Sequence, residues 1–285
     1  MTARWGPSLT RETRRALDRL GVAHHDLSAG NEFPWFGFWN KAIAAVHVEA
    51  TAAADQIAWL DSDLFVTGEP GELHLGDDED FAARIENFLP VNRPDSPNVP
   101  YWEAICRLFG MDYAEFPWLE TDEREGKVRL HWNSGVFTWR RSRGLAREWM
   151  ADFRRVLSAG VASSQVGLLL TDQVVLGVTM LRMGLRWRHL TRTHNHPVSR
   201  YILNQTDSAP LTAAKIVHYH ESTLPAHWDL FVERMRRDQP HIVDWLVALG
   251  PLQERVGLTR RLFGSAVQWW RRRQYRAFET RCRRY

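Results

Sequence analysis

Two aspartate pairs and two histidine clusters have the residue types and spacing that chemistry uses. Asp61-Ser62-Asp63 follows directly on the apolar run Ile57-Ala58-Trp59-Leu60. Two carboxylates at i and i+2 just past a strand end can both turn toward one hard cation. Mg2+ or Mn2+ suits such oxygen ligands and can bridge a diphosphate at the same time. A cation held there would neutralise charge developing on a departing nucleoside diphosphate. Carboxylates in this position also serve as turn or cap residues. The second pair, Asp78 and Asp80, ends a turn-rich acidic stretch with no strand before it. It reads as turn carboxylates whose replacement is nearly silent. His218 and His220 follow the apolar Ile216-Val217 and share one face of an extended chain. Either is a ligand candidate, and a strand-end histidine bonded to backbone is the ordinary reading of both. His194-Asn195-His196 has a nuclease-like composition, but Pro197 follows at once. It reads as a polar loop.

Elements must position these groups. Residues 8–20 read as a helix, with Ser8 or Thr10 as cap and Gly21 as stop signal. Residues 22–27 read as a short strand, 28–37 as a loop and 38–53 as a helix of small residues. Residues 56–60 are a short apolar strand that ends in the first aspartate pair, and 64–67 resume as a strand. Pro90, Pro94, Pro97 and Pro100 mark a loop. Residues 127–132 and 136–139 are strand candidates that flank a turn at Asn133-Ser134-Gly135. Residues 142–157 and 171–184 read as helices, and 185–190 and 216–219 as strands. The chain after about residue 226 reads as wholly helical, broken at Gly250-Pro251. Strands alternating with helices indicate an α/β sheet.

The segment Asn40-Lys41, then Asp55-Gln56-Ile57-Ala58-Trp59-Leu60-Asp61-Ser62-Asp63-Leu64-Phe65-Val66, resembles the central part of GT-A glycosyltransferases. It is closest in style to the glycogenin and bacterial lipooligosaccharide galactosyltransferase group. His131-Trp132-Asn133-Ser134-Gly135-Val136-Phe137 is similar to that group's F-N-[AS]-G-V strand-turn. Thr171-Asp172-Gln173 is similar to its Asp-Gln helix start, and Lys215-Ile216-Val217-His218-Tyr219 to its late I-[IV]-H-[FY] strand. The resemblance covers residues 38–220, and its four motifs fall in the family's order.

The resemblance implies roles. Asp61 and Asp63 match the metal-binding pair and His218 the third ligand, with His220 as the alternative histidine. Asn133, Ser134 and Gly135 match a turn lining donor and acceptor sugar; a plain tight turn is the other reading. Asp172 and Gln173 match positions beside the reacting carbon, where Asp172 also suits helix capping. Lys41 suits a diphosphate as a point charge, or stands solvated on its helix. GT-A domains open with a strand and loop that grip the nucleotide base. This chain reads as starting at the following helix, so the first strand is expected to be missing. The implied fold is a GT-A, Rossmann-like mixed sheet over residues 1–225. A helical C-terminal region follows over 226–285. The implied activity is metal-dependent hexosyl transfer, from a UDP-sugar or similar donor to a glycan or lipid-linked acceptor, with Mn2+ or Mg2+. The rival reading is a catalytically impaired GT-A-like binding or scaffold protein. A nucleotidyltransferase usually carries a Gly-rich phosphate loop near its start, and none is seen.

Composition sets the remaining bounds. The chain has 285 residues, 44% hydrophobic and 25% charged, as ordinary globular proteins have. Its two cysteines, Cys106 and Cys282, make no disulfide framework or Cys-x-x-Cys site. Residues 1–10 lack the apolar core of a signal peptide, and no apolar run reaches membrane-span length. A cytoplasmic setting is the expectation. From residue 255 to the end there are ten Arg, one Glu and no Lys, a net +9 that leaves −6 for the rest of a +3 chain. An acidic body argues against nucleic acid as partner. In the tail Phe263, Val267, Trp270, Phe278, Cys282 and Tyr285 recur at helical spacing among arginines. Such a helix suits the anionic inner face of a membrane, or packs by its aromatics on the catalytic domain.

Overall fold

A computed structural model describes residues 1–3, 5–28, 30–86, 91–121, 126–199, 203, 211–252 and 257–285. Pro90 and Arg255 lie outside the described residues. Helices α1 (Arg11–Arg19) and α2 (Trp39–Thr51) come first, then strands β1 (Gln56–Leu60), β2 (Leu64–Val66) and β3 (Phe81–Ile85). Helix α3 (Val99–Leu108), strands β4 (Trp118–Glu120), β5 (Lys127–Arg129) and β6 (Trp132–Arg140), and helix α4 (Leu145–Ala159) follow. Strand β7 (Val161–Ala162) and helix α5 (Thr171–Arg182) lead to strands β8 (Trp187–His189), β9 (His196–Pro197) and β10 (Ile216–His218). Helices α6 (Trp228–Asp238), α7 (Val243–Leu249) and α8 (Leu258–Glu279) precede a last strand, β11 (Arg283–Arg284).

The expected mixed α/β architecture is present. One sheet runs in the order β1-β6-β3-β8, with β6 antiparallel to β1 and β3, and β8 parallel to β3. A second runs β2-β10-β9, with β10 antiparallel to β2 and parallel to β9. The chain passes from the first sheet to the second through Asp61-Ser62-Asp63. The Asp61 amide donates to the Gly135 carbonyl at 2.9 Å, and the Tyr219 amide donates to the Asp63 carbonyl at 3.0 Å. One end of this corner is therefore tied to β6 and the other to the end of β10.

The core lies between the first sheet and helices α2, α4 and α5. Trp39, Phe81, Trp132, Phe137, Trp139, Trp149 and Phe153 are all fully buried there. Burying one such side chain contributes about 1.5–3 kcal/mol, so this cluster fixes how the sheet meets the helices. A smaller cluster joins Val217 of β10 to Phe231 and Met235 of α6 and Leu246 of α7.

Several sequence expectations change. Residues 22–27 form no strand, only an isolated bridge between Thr2 and Asp26; Val22 is exposed, so no apolar face anchors them. Pro100 does not extend the loop but sits in the first turn of α3, where its missing N–H costs nothing. Asn133-Ser134-Gly135 is no turn between strands but part of β6. The pairing of β6 with β3 jumps from Ala83–Phe137 to Ile85–Trp132, so residues 133–136 have no partner on β3. Such irregularities re-aim side chains.

The C-terminal region is not wholly helical either. β11 pairs with β7, and much of the aromatic stripe of α8 packs inward. Val267 is buried, Trp270 meets Trp5, and Tyr275 and Phe278 meet Trp35. Among the described residues no helix is long and apolar enough to cross a membrane.

Candidate functional site

The Asp-Ser-Asp corner divides the site into two halves. On the first-sheet side, Asp61 Oδ2 accepts from Lys41 Nζ at 2.9 Å, and its Oδ1 from Trp59 Nε1 at 2.8 Å. Lys41 reaches in from α2 and also donates to the Ser134 carbonyl and hydroxyl at 3.1 and 3.0 Å. The Ser134 hydroxyl donates to Asp172 Oδ2 at 2.6 Å, and the Ser134 amide to Gln173 Oε1 at 2.9 Å. Lys41 Nζ stands 3.6 Å from the same Asp172 oxygen. Burial pushes the Lys41 ammonium toward neutrality, but Asp172 and Asp61 outweigh it and hold its pKa above the usual lysine value. Burial pushes the Asp172 carboxyl up, and Lys41 and Ser134 offset this only in part. Its Oδ1 is buried with no hydrogen-bond partner among the described residues.

On the second-sheet side, Asp63 Oδ2 lies 3.3 Å from His218 Nε2 and 3.9 Å from His220 Nδ1. The two imidazoles stack with centroids 3.9 Å apart. His218 Nδ1 is 3.0 Å from Asn195 Oδ1, while Asn195 Nδ2 donates to Asn133 Oδ1 at 2.8 Å. An amide oxygen only accepts, so His218 carries its proton on Nδ1 and keeps the Nε2 lone pair toward Asp63. Two lone-pair atoms 3.3 Å apart need a proton or a metal cation between them. Asn133 Oδ1 also takes the Gly135 amide at 2.8 Å, and Asn133 Nδ2 donates to Glu86 at 2.6 Å. Gly135 is required here because a Cβ would meet His218 Cε1 at 2.6 Å. Burial raises the Asp63 carboxyl, but a proton held between it and His218 Nε2, with His220 beside it, brings it below its ordinary value. Burial and His218 push His220 down to about 4, so it is neutral near pH 7.

The structure thus gathers Lys41, Asp61, Ser134, Asp172 and Gln173 in one network, and Asn133, Gly135, Asp63 and His218 in the adjoining one. Asp63, His218 and His220 are the cluster that can hold a metal ion among the described residues, all ligand atoms within 4.8 Å of one another. Asp61 is not part of it. Asp172 does not cap α5, whose N-cap is Leu170 at φ 68 with no side-chain cap. Asp80 is no solvated turn residue: it is buried and accepts three bonds from Arg186 at 3.0 Å. Glu86, Asn195 and Trp59 escaped the sequence reading. Asn195 had a signal in the His-Asn-His cluster, whose middle residue is the one that reaches the site.

A family described as the Rhodobacterales glycosyltransferase domain matches residues 1–184. Among solved structures, mouse xyloside xylosyltransferase 1 in its apo form is 17% identical, over 73% of this chain and 80% of that one, with a TM-score of 0.42. The glycosyltransferase GlyE of Streptococcus pneumoniae TIGR4 is 15% identical, over 86% of this chain and 55% of that one, with a TM-score of 0.43. An active-site mutant of LgtC is 16% identical, over 78% of this chain and 70% of that one, with a TM-score of 0.40. No curated protein matches the sequence.

Proposed function

The chain belongs to the Rhodobacterales glycosyltransferase domain family, and from that premise we propose that it moves a sugar from a nucleoside-diphosphate donor, UDP-linked by preference, to a glycan or lipid-linked acceptor. The kinship makes it a glycosyltransferase; donor, acceptor and metal are our reading. The observation that carries it is the Asp-Ser-Asp corner, which sets an acid–imidazole cluster beside a buried Lys-Asp-Asp-Ser network.

The donor set around Asp63 fits a divalent cation, since His218 offers its Nε2 lone pair beside a carboxylate. Bound there, Mn2+ or Mg2+ would supply Lewis-acid neutralisation of the leaving diphosphate. The chain does the rest. Lys41 keeps its charge between Asp61 and Asp172 and adds a positive field next to the diphosphate. Gln173 and Asp172 act on the donor by fixing Ser134, whose amide and hydroxyl they hold. Asn133 fixes Asn195, which fixes the His218 ring. Water exclusion and orientation of the sugar fall to the β6 segment around Asn133 and Gly135.

We assign the outer face of α8 to an anionic membrane surface on which the acceptor is presented. Leu258 and Leu262 are 67% and 62% exposed on that face, with Arg273 and Arg276 exposed beside them.

The test is a screen of nucleotide sugars for hydrolysis and for thermal shift, with and without Mn2+. Mn2+-dependent turnover by the unaltered chain and its loss in Asp63→Ala are expected. A thermal shift with a nucleotide sugar but no turnover with any donor would favour the scaffold reading.

A further inference from the structure

We propose that His220 is a ligand of the catalytic cation and that Asp61 is not. The ion would then sit on Asp63, His218 and His220, while Asp61 serves as the counter-ion that anchors Lys41. This rests on the reading that the corner holds a metal for a nucleotide sugar, and it reassigns the ligands within that reading.

The backbone gives the first argument. His220 has φ 47, one of two non-glycine residues with positive φ among the described residues. A residue with a Cβ held there costs on the order of 1–3 kcal/mol unless its surroundings impose it. What the conformation achieves is the placement of the ring. In an extended strand, residues 218 and 220 would stand about 7 Å apart along one face. The left-handed residue folds the second imidazole back onto the first, with centroids 3.9 Å apart and planes 22° apart. Its Nδ1 thereby comes to 3.9 Å from the carboxylate oxygen that His218 Nε2 approaches to 3.3 Å.

The spread of the three atoms gives the second. They lie within 4.8 Å of one another. Ligands about 2.0–2.1 Å from an octahedral ion are roughly 3 Å apart when adjacent and about 4 Å apart when opposite. Small side-chain rotations close the difference, and Asp63 and His220 retain the exposure to make them: their side chains are 37% and 34% accessible. Two imidazoles and one carboxylate on one side of an ion leave the other positions open for diphosphate oxygens and water.

Asp61 is committed elsewhere. Its two oxygens are taken by Lys41 and Trp59, and its backbone is held to β6 through Gly135. Turning it toward the cation would strip Lys41 of a partner in a buried position, where a lost counter-charge is expensive. The crossing from one sheet to the other thus sends the two aspartates to different tasks.

The experiment is a titration of the full-length purified chain with Mn2+ alone, free Mn2+ being read by its paramagnetic resonance signal. His220→Gly is the informative variant because glycine adopts φ 47 without strain, so the fold is kept while the ring is lost. We expect His220→Gly and His218→Ala each to weaken Mn2+ binding by about 10- to 100-fold, and Asp61→Asn by less than about tenfold. Circular dichroism and melting temperature check that each variant is folded. Mn2+ binding by His220→Gly equal to that of the unaltered chain overturns the assignment while leaving the metal reading intact. So does a loss in Asp61→Asn as deep as in Asp63→Ala. Failure of the unaltered chain to bind Mn2+ overturns both.

Discussion

Asp61 and Asp63 stand two residues apart, yet their surroundings are opposites. Asp61 has both carboxylate oxygens bonded, to Lys41 and Trp59, inside a network closed by Ser134 and the buried Asp172. Asp63 is half-open and faces imidazole nitrogens. Equal spacing in sequence therefore does not make two equal ligands. A chain that leaves one sheet and enters another within three residues turns successive side chains into different compartments. The closed half is built to hold charge in place, and the open half to receive it.

That contrast predicts opposite responses to mutation. Lys41→Met leaves Asp172 buried, 1% exposed, without its cation, and should cost about 3–5 kcal/mol of stability. Asp63→Ala removes a half-exposed carboxylate and should change stability by less than about 1 kcal/mol. Urea unfolding at neutral pH measures both. Equal losses in the two variants would break the division into a structural and a receiving half.

A smaller effect separates the core histidines from those of the site. His131, just before β6, is 3% exposed, and neither ring nitrogen has a hydrogen-bond partner among the described residues. Burial pushes its pKa down to about 4, against about 6.5 in an unfolded chain. A folded pKa below the unfolded one means that the unfolded state binds the proton first. Stability from this group is thus complete above about pH 6.5 and is lost as pH falls toward 4. Between pH 7 and 4.5 the loss is roughly 2 kcal/mol for this residue. His131→Phe should remove that share of the acid sensitivity, read as the difference in unfolding free energy between the two pH values. An identical fall in the variant would show that His131 is not kept neutral by burial.

The fold class and the strand leading into the Asp-Ser-Asp corner were legible in the sequence; the elements around them were less so. β1 was read with its observed bounds, because a short apolar run ending in two aspartates has little else to be. β3 was missed although all five of its residues are buried. Buried on both faces, it shows no alternation, and Arg84 interrupts its apolar run. Asn133-Ser134-Gly135 has the composition of a turn and sits in a strand; the missing ladder partners, not a reversal of the chain, are what its polar residues answer. Asn195 and Glu86 lie 62 and 47 residues from the Asn133 they bond. No local pattern carries such pairings. The stacking of His220 on His218 beside Asp63 depends on a left-handed backbone at residue 220 that no local pattern in the sequence signals.

The weakest expected effect tests whether the same contrast of bound and free charge extends to α8. Arg260 and Arg271 are bonded to the carbonyls of Ser8 and Trp5 and tie the helix to the N-terminal segment. They line a cavity of about 570 Å³ between the two, together with Arg261 and Arg272. Arg273 and Arg276 do not line that cavity and are exposed with Leu258 and Leu262. Because α8 packs on the core and β11 pairs with β7, deleting the tail would damage the fold. Single substitutions are the cleaner probe. An arginine near an anionic surface contributes about 1 kcal/mol, so Arg273→Gln should weaken partition onto phosphatidylserine vesicles roughly fivefold. The attraction should fade in 1 M salt, where the Debye length is about 3 Å. Co-sedimentation measures this, with phosphatidylcholine vesicles as the neutral comparison. Equal binding to both lipids, or by Arg273→Gln and the unaltered chain, would return the outer arginines to solvent and leave α8 as a helix with only an inner task.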